Sequence, residues 1–290
     1  MKRPFIFCLL FLTKGFSQSA LRTVADSTNN RPISYATLKV LHKPIGTMAN
    51  VNGEFELAFE RSDTISITCI GYREKILMGR DIGLRIYLSP APKSLDTVVV
   101  AGTRPLRTII LGNGKDFVNK KMKCGDDCLP WGPAGVKEEF AEKILIDSTK
   151  AYRLKKLYMP TRKKDQYGPL LLRIYAEDEI TKKPGEELLF KYIEVNKKMI
   201  YKSKVVIDIS SEDLYIGHSS SFFVSFGWPL GHGGRGVDFT SINLFLLNKD
   251  NTLQRNLLTE TYYWYQSGYG KSKDKVNTAY AVEMEERVYK

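Results

Sequence analysis

From about residue 19 onward, apolar and polar positions alternate in short runs, so that the chain reads as strand almost throughout. SYATLKVL (34–41), GEFELAF (53–59), TISITCIGY (64–72) and LRIYLS (84–89) are β-branched or aromatic and are separated by turn residues. That spacing predicts the short strands of an all-β sandwich. The Pro-rich SPAPKS (89–94) closes the series, and LDTVVVAG and the Gly- and Arg-containing TRPLRTIILGNGKD follow it. A first domain is therefore expected over 19–100 and a linker over 101–115.

Past the linker the tempo changes. Segments such as YRLKKLYMP, GPLLLRIYAED, EELLFKYIEV, SKVVIDI, SFFVSFGWP, SINLFLLN, ETYYWYQ and AYAVEMEERVY make up roughly nine candidate strands, several of them long, with Gly, Pro, Asn and Asp between them. Over 116–290 this fits a larger two-sheet sandwich of jelly-roll type. KEEFAEKI is the one helix candidate, and it alternates well enough to be a strand; the pattern leaves both readings open.

IGTMANVNGEFEL (45–57) has the glycines and asparagines of either a ligand loop or a tight turn. Asn52-Gly53 between alternating apolar positions is a hairpin signal, because both residues accept positive φ. Phe55, Leu57 and Phe59 then share one face of the outgoing strand. A calcium loop needs several acidic oxygens at alternating positions, and this stretch offers only Asn50, Asn52 and Glu54. The hairpin is the expectation.

The first eighteen residues, MKRPFIFCLLFLTKGFSQ, change the picture of where such a protein works. Lys2 and Arg3 precede an apolar run from Phe5 to Leu12 and a small-residue exit near Gly15 to Gln18. That is the layout of a signal peptide, with an apolar run too short to span a bilayer as a helix. Export is expected, to the periplasm, the outer membrane or the cell surface. The formal charge of +12 falls to +9 once Lys2, Arg3 and Lys14 are removed. Lys and Arg are scattered among Asp and Glu, a diffuse field that favours anionic surfaces such as lipopolysaccharide or acidic glycans. Export and the lack of a recognition motif argue against nucleic acid.

Of the four cysteines, Cys8 lies in the leader, without a lipobox around it, and Cys69 reads as a small buried hydrophobe. Cys124 and Cys128 in KCGDDCLPWG either close a small disulfide loop or, with Asp126 and Asp127, bind a metal. Two cysteines without a second Cys or His pair make a poor zinc site, which favours the disulfide and leaves no metal or other cofactor expected.

Asp26, Pro32, Ile33, Tyr35, Ala36, Gly46, Thr47, Asn50, Gly53, Phe55, Gly71 and Tyr72 together resemble the motif of the carboxypeptidase-regulatory-like domain of exported Bacteroidota proteins. The likeness covers residues 20–100. It departs at ALRTVAD, which lacks the family's Gly-x-Val or Gly-x-Ile lead-in. The resemblance implies a seven-stranded, transthyretin-like sandwich acting as an accessory module. Metallocarboxypeptidases themselves hold zinc with a His-x-x-Glu pair and a distant His. Here none of His42, His218 and His232 has Glu three residues on, so a peptidase is not expected. SLDTVVVAG also resembles the segment before the plug of outer-membrane nutrient receptors. The remaining 116–290 are too few for a barrel of their size, at about ten residues per strand; work beside such a receptor stays compatible.

In the second half, GHGGRG (231–236) satisfies Gly-x-Gly-x-x-Gly but leads into the strand-like VDFTSINLFLLN, where a dinucleotide fold requires a helix. GYGKS (268–272) lacks the earlier P-loop glycine, and GHSSS (217–221) is not a nucleophile elbow. Lys183, Pro184, Gly185, Leu188, Leu189, Asp208, Phe223 and Trp228 are similar to positions in jelly-roll modules of galactose-binding or lectin-like appearance in exported Bacteroidota proteins; as turn and core residues they support a fold and not a site. Trp228, His232 and Arg235 mark a loop at one end of the sandwich, and Tyr262 and Trp264 share a face of TYYWYQ that can stack on sugar rings.

Two functional classes follow. One is a non-enzymatic exported accessory or interaction protein of the cell envelope, with an envelope protein or polysaccharide as partner and peripheral association with the outer membrane. The other is a carbohydrate-binding module for glycan capture.

Overall fold

The computed structural model describes residues 20–91, 100–101, 107–119, 128–131, 138–161, 168–229, 242–246, 251–257, 265–266 and 276–289. The described residues are all-β.

In the first domain the strands are β1 (Arg22–Asp26), β2 (Thr37–Val40), β3 (Ile45–Met48), β4 (Glu54–Phe55), β5 (Thr64–Thr68), β6 (Lys75–Met78) and β7 (Arg85–Leu88). They form two sheets, β4-β1-β7 and β3-β2-β5-β6, with β1 and β7 parallel. Period-2 alternation sends Leu38 and Val40 of β2, and Ile65 and Ile67 of β5, inward against Val24, Ile86 and Leu88. Each such buried side chain is worth about 1.5–3 kcal/mol relative to exposure. Two residues of the sequence motif meet here: the Tyr72 hydroxyl donates to Asp26 Oδ2 at 3.0 Å, and Thr28 donates to Oδ1 of the same carboxylate from its amide and its hydroxyl.

The turn at 50–53 is tight, as expected, but its anatomy differs. Gly53 N–H donates to the Asn50 carbonyl at 3.0 Å, and Asn50 Oδ1 accepts from the amides of Asn52 and Glu54. Only Gly53 takes positive φ, +73°, so Asn52 is not the left-handed partner that a two-residue hairpin requires. The strands it joins, β3 and β4, enter different sheets; the turn is a corner between sheets and not the tip of a hairpin.

The second domain contains β8 (Val100–Ala101), β9 (Arg107–Leu111), β10 (Cys128–Trp131), β11 (Glu138–Leu145), β12 (Ala151–Pro160), β13 (Pro169–Glu177), β14 (Pro184–Glu194), β15 (Ile200–Tyr201), β16 (Lys204–Asp208), β17 (Tyr215–Ile216), β18 (Ser221–Gly227), β19 (Ile242–Leu246), β20 (Thr252–Asn256), β21 (Tyr265–Gln266), β22 (Val276–Thr278) and β23 (Ala281–Tyr289). One sheet runs β14-β13-β18-β11-β20-β21, a second β15-β16-β12-β23-β8, with β9 also on β23, and a small third is β10-β19-β22. The pairings nest. β13 pairs with β14, β12 with β16, β11 with β18 and β9 with β23, all antiparallel, as if one long hairpin were wound around the core.

This nesting corrects the expected linker. Residues 107–111 are not a connector: Thr108–Leu111 is a short apolar run that completes an edge of the second sheet by pairing along β23. It also settles KEEFAEKI, which from Glu138 onward is the strand β11, held on both sides by β18 and β20. Along β12 the core face passes from Tyr152 and Leu154 to Leu157 and Met159, a change from even to odd numbers. A β-bulge between Leu154 and Lys156 supplies the extra residue that keeps both pairs inward. Between the two large sheets Phe140, Leu172, Val224, Phe226, Trp228, Tyr280, Val282 and Met284 form the core, with Phe226 and Tyr280 edge-to-face at 4.8 Å.

Candidate functional site

Each domain has one sheet whose outward face could have met solvent, and the two faces meet each other instead. In the first domain, Thr37 and Lys39 point away from the Leu38/Val40 core, beside Met48 and Thr68 of the neighbouring strands. In the second, Leu171, Arg173 and Tyr175 of β13 share the outer face with Phe223 and Ser225 of β18, Glu139 of β11 and Arg255 of β20. A cleft of about 440 Å³ lies between them, lined by Tyr35, Lys39, Met48, Arg173, Phe190 and Arg255 among others. That volume is in the range of small-molecule sites.

The floor of the cleft is a buried charge cluster. Glu139 is 0% exposed. Arg255, directly opposite it in the β11–β20 register, donates from Nε at 2.8 Å and from Nη2 at 2.6 Å to Oε2. Arg173 Nη1 lies 3.2 Å from the same oxygen. Oε1 accepts from the Tyr175 hydroxyl at 2.9 Å and from the Ser225 hydroxyl. Burial pushes the Glu139 carboxyl up, but the Arg255 and Arg173 charges and the hydroxyl donors outweigh it and bring it down to about 2. Gly227 stands opposite Glu139 on β18, where a Cβ would lie 3.3 Å from the Cβ of Glu139.

Lys39 answers this floor from the first domain. Burial is the largest influence on its amine, followed by the positive charges of Arg255 and Arg173, which exceed the opposing pull of Glu139 and Glu74; together they bring it down to about 7. Cys69 also lines the cleft and is half-buried; burial first, then the charge of Glu187, pushes its thiol up to about 11. The cysteine is thus packing and not a ready nucleophile at neutral pH.

At the edge of the cleft, Tyr35 stacks on Tyr192 with ring centroids 4.4 Å apart and lies 6.5 Å from the Phe190 ring. Tyr35 holds φ of +61°, a left-handed conformation that is rare for a bulky residue. Such strain is retained where surrounding contacts impose it. The Arg173 guanidinium in turn lies 5.1 Å from the Phe190 ring centroid.

Of the site residues singled out from sequence, Trp228 is the one whose side chain is described. Trp228 is 2% exposed in the core between the second domain's sheets, so its ring is not offered to a sugar from solvent. His232, Arg235, Tyr262, Trp264 and Cys124 lie outside the described residues; Cys128 opens β10 and its side chain lies outside them too. Trp228 does not line the cleft. Among the described residues no group of three or more His, Cys, Asp or Glu is placed to hold a metal ion. Nor is any helix there long and apolar enough to cross a membrane. The cleft cluster did carry a signal in the chain: Arg173 interrupts LLLRIY, and Glu139 interrupts the apolar alternation of a central strand.

The pairing of Asp26 with Tyr72, the corner at Gly53 and the two-sheet packing are the features by which this first domain can be compared with others. Residues 23–100 match the family model of the CarboxypepD_reg-like domain. The CarboxypepD_reg-like domain is a non-catalytic β-sandwich, and in this chain it forms one wall of the cleft. No match was found among curated proteins. Solved structures similar to the chain include infectious bursal disease virus Gt strain, with 11% identity and a TM-score of 0.24, covering 93% of this chain and 63% of that one. The VP2 subviral particle of infectious bursal disease virus is matched at 10% identity and a TM-score of 0.26, over 93% and 64% of the two chains. The chain thus spans under two thirds of the length of these proteins, and likeness at this level carries no argument about its function.

Proposed function

We propose that this protein is a non-enzymatic accessory or interaction protein, exported to the cell envelope, that recognises its partner at the cleft between its two domains. The observation that carries the reading is the composition of the cleft: the CarboxypepD_reg-like domain supplies Tyr35 and Lys39, and the second sandwich supplies Arg173, Phe190 and Arg255. An accessory module that served as a spacer would have no reason to bury a lysine against another domain's arginines. The leader-like first eighteen residues support export, and the diffuse positive charge favours an anionic envelope surface. The nested strand pairings of the second domain support its reading as a jelly roll of two interlocked Greek keys.

The test places a photo-crosslinking amino acid at Ile70, which lines the cleft, and at Leu84, an exposed residue of the other sheet's side, in the full-length protein in intact cells. A crosslinked species formed from position 70 and absent from position 84 supports the cleft as the recognition site. Equal crosslinking from both, or none from 70, removes it, and recovery of the protein with the cytoplasmic fraction removes the envelope assignment. Capture of glycan chains in place of protein would favour the carbohydrate-binding alternative.

A further inference from the structure

The other large sheet of the second sandwich, on the far side of the core from the cleft, carries a recess on its own outer face. Tyr158 of β12, with Val206 and Asp208 of β16, points away from the core that takes Leu157, Met159, Val205 and Ile207. Val118, which follows the short turn Lys115–Phe117, is laid on this face against Tyr158 and Ala281. Beside it opens a groove of about 460 Å³ whose lining includes Met199, Tyr201 and Val206. Tyr201 is 50% exposed. Lys202 donates to the Asn119 carbonyl at 2.7 Å and lies 5.0 Å from the Tyr201 ring centroid, which fixes Asn119 and Tyr201 beside one another at the rim.

The polar groups of this groove are donors and acceptors together, and among the described residues much of their capacity is unused. Asp208 gives Oδ1 to the amide and hydroxyl of Ser210, while its Oδ2 accepts no hydrogen bond. Asn196 accepts from the Lys198 amide at 3.0 Å through Oδ1, and its Nδ2 donates to no protein group. The Asn119 side-chain amide and the Lys198 amine also line the groove without a hydrogen-bond partner. An anion would use the donors alone and be repelled by Asp208, and an apolar molecule would strip these groups of water without replacing their hydrogen bonds. A hydroxyl is donor and acceptor at once, so a ring carrying several hydroxyls satisfies both kinds.

We propose that this groove is a sugar-binding site that takes one pyranose unit of a glycan, its hydroxyls on Asp208, Asn196 and Asn119 and its C–H surface on Tyr201, Met199 and Val206. The site lies on the opposite sheet from the cleft, so it stands beside the cleft reading and does not rest on it.

Affinity electrophoresis of the full chain at physiological salt tests this, in gels carrying laminarin, xyloglucan, arabinoxylan, dextran or polygalacturonate. Retardation by at least one polymer is expected. Tyr201→Ala should weaken it about tenfold or more, while Tyr201→Phe keeps most of it. Asp208→Asn preserves the acceptor that Ser210 uses and removes the carboxylate oxygen left for a hydroxyl, so it too should weaken binding about tenfold. Simple attraction of an acidic polymer to Lys156 and Lys198 predicts the opposite, because losing the negative charge of Asp208 would strengthen it. Tyr201 and Asp208 are both exposed, and their variants should keep the wild-type urea midpoint. The neutral polymers set against polygalacturonate show whether the preferred sugar bears an acid. No retardation by any polymer, retardation indifferent to Tyr201→Ala, or stronger binding by Asp208→Asn overturns the proposal. Crosslinking from Ile70 in the cleft should be unchanged in Tyr201→Ala, so either site can fail alone.

Discussion

The ring of Tyr35 lies face to face on the ring of Tyr192, centroids 4.4 Å apart and planes 4° from parallel, and this contact ties the two domains at the edge of their cleft. Tyr35 belongs to the turn before β2, and Tyr192 stands opposite Leu171 on the edge strand β14. Replacing both by Ala, singly and together, should give a coupling energy of about 0.5–1.5 kcal/mol in a double-mutant cycle read by urea denaturation. Additive effects would mean that the rings touch without holding the domains. Tyr35→Gly should cost less than Tyr35→Ala, because glycine removes the strain of φ +61° as well as the ring.

Glu139 is the keystone of the charge cluster. Glu139→Gln removes the carboxylate on which Arg173 and Arg255 converge, so a loss of about 3–5 kcal/mol is expected at pH 7. The carboxyl titrates lower in the folded chain, at about 2, than its ordinary 4.5. Its contribution is therefore complete above about pH 4.5 and is lost as the pH falls toward 2. Urea titrations at pH 7, 4.5 and 3 should show the wild type converging on the variant as the pH drops. A constant gap would contradict the assignment.

Lys39 has the opposite sign. Its amine is held at about 7 when folded against an ordinary 10.5, so the unfolded chain binds more protons between those values and stability rises with pH across that window. The rise should be about 1–3 kcal/mol, allowing for its partial contact with solvent. In Lys39→Met the rise should flatten, and the variant should be more stable than wild type at pH 6. A less stable variant at pH 6 would show that the charge is held by favourable pairing.

Gly53 is required by its corner. A Cβ there would lie 2.6 Å from the Val24 carbonyl oxygen, at φ +73°. Gly53→Ala should destabilise the first domain by about 2–3 kcal/mol in thermal or urea unfolding. Asn52→Ala should be mild, since Asn52 is not in the left-handed region. A similar cost for both would show that the strain of the corner is not concentrated at Gly53.

Much of the fold was legible in the chain, because strand alternation reports directly which side chains share a face. Leu38 and Val40 against Thr37 and Lys39, the Asp26 and Tyr72 of the domain motif, and the turn at Gly53 all follow from period 2 and from the few residues that accept positive φ. The break of alternation at Lys155-Lys156 in YRLKKLYMP could have been read as a bulge, whereas the role of 107–111 could not: its partner β23 lies about 170 residues away.

What only the tertiary structure decided is what covers each face. Alternation puts Lys39 on the outer side of its sheet and Arg173 with Glu139 on the outer side of theirs, and a solvated face is the ordinary fate of such residues. Docking one outer face on the other removes the water, which draws Lys39 down while the arginines of its own sheet hold Glu139 down against its burial, and leaves a cleft at the seam. A side chain's face is set by its own strand's geometry and is written locally, but the dielectric it sits in is set by a surface contributed by another domain, and no local pattern encodes it.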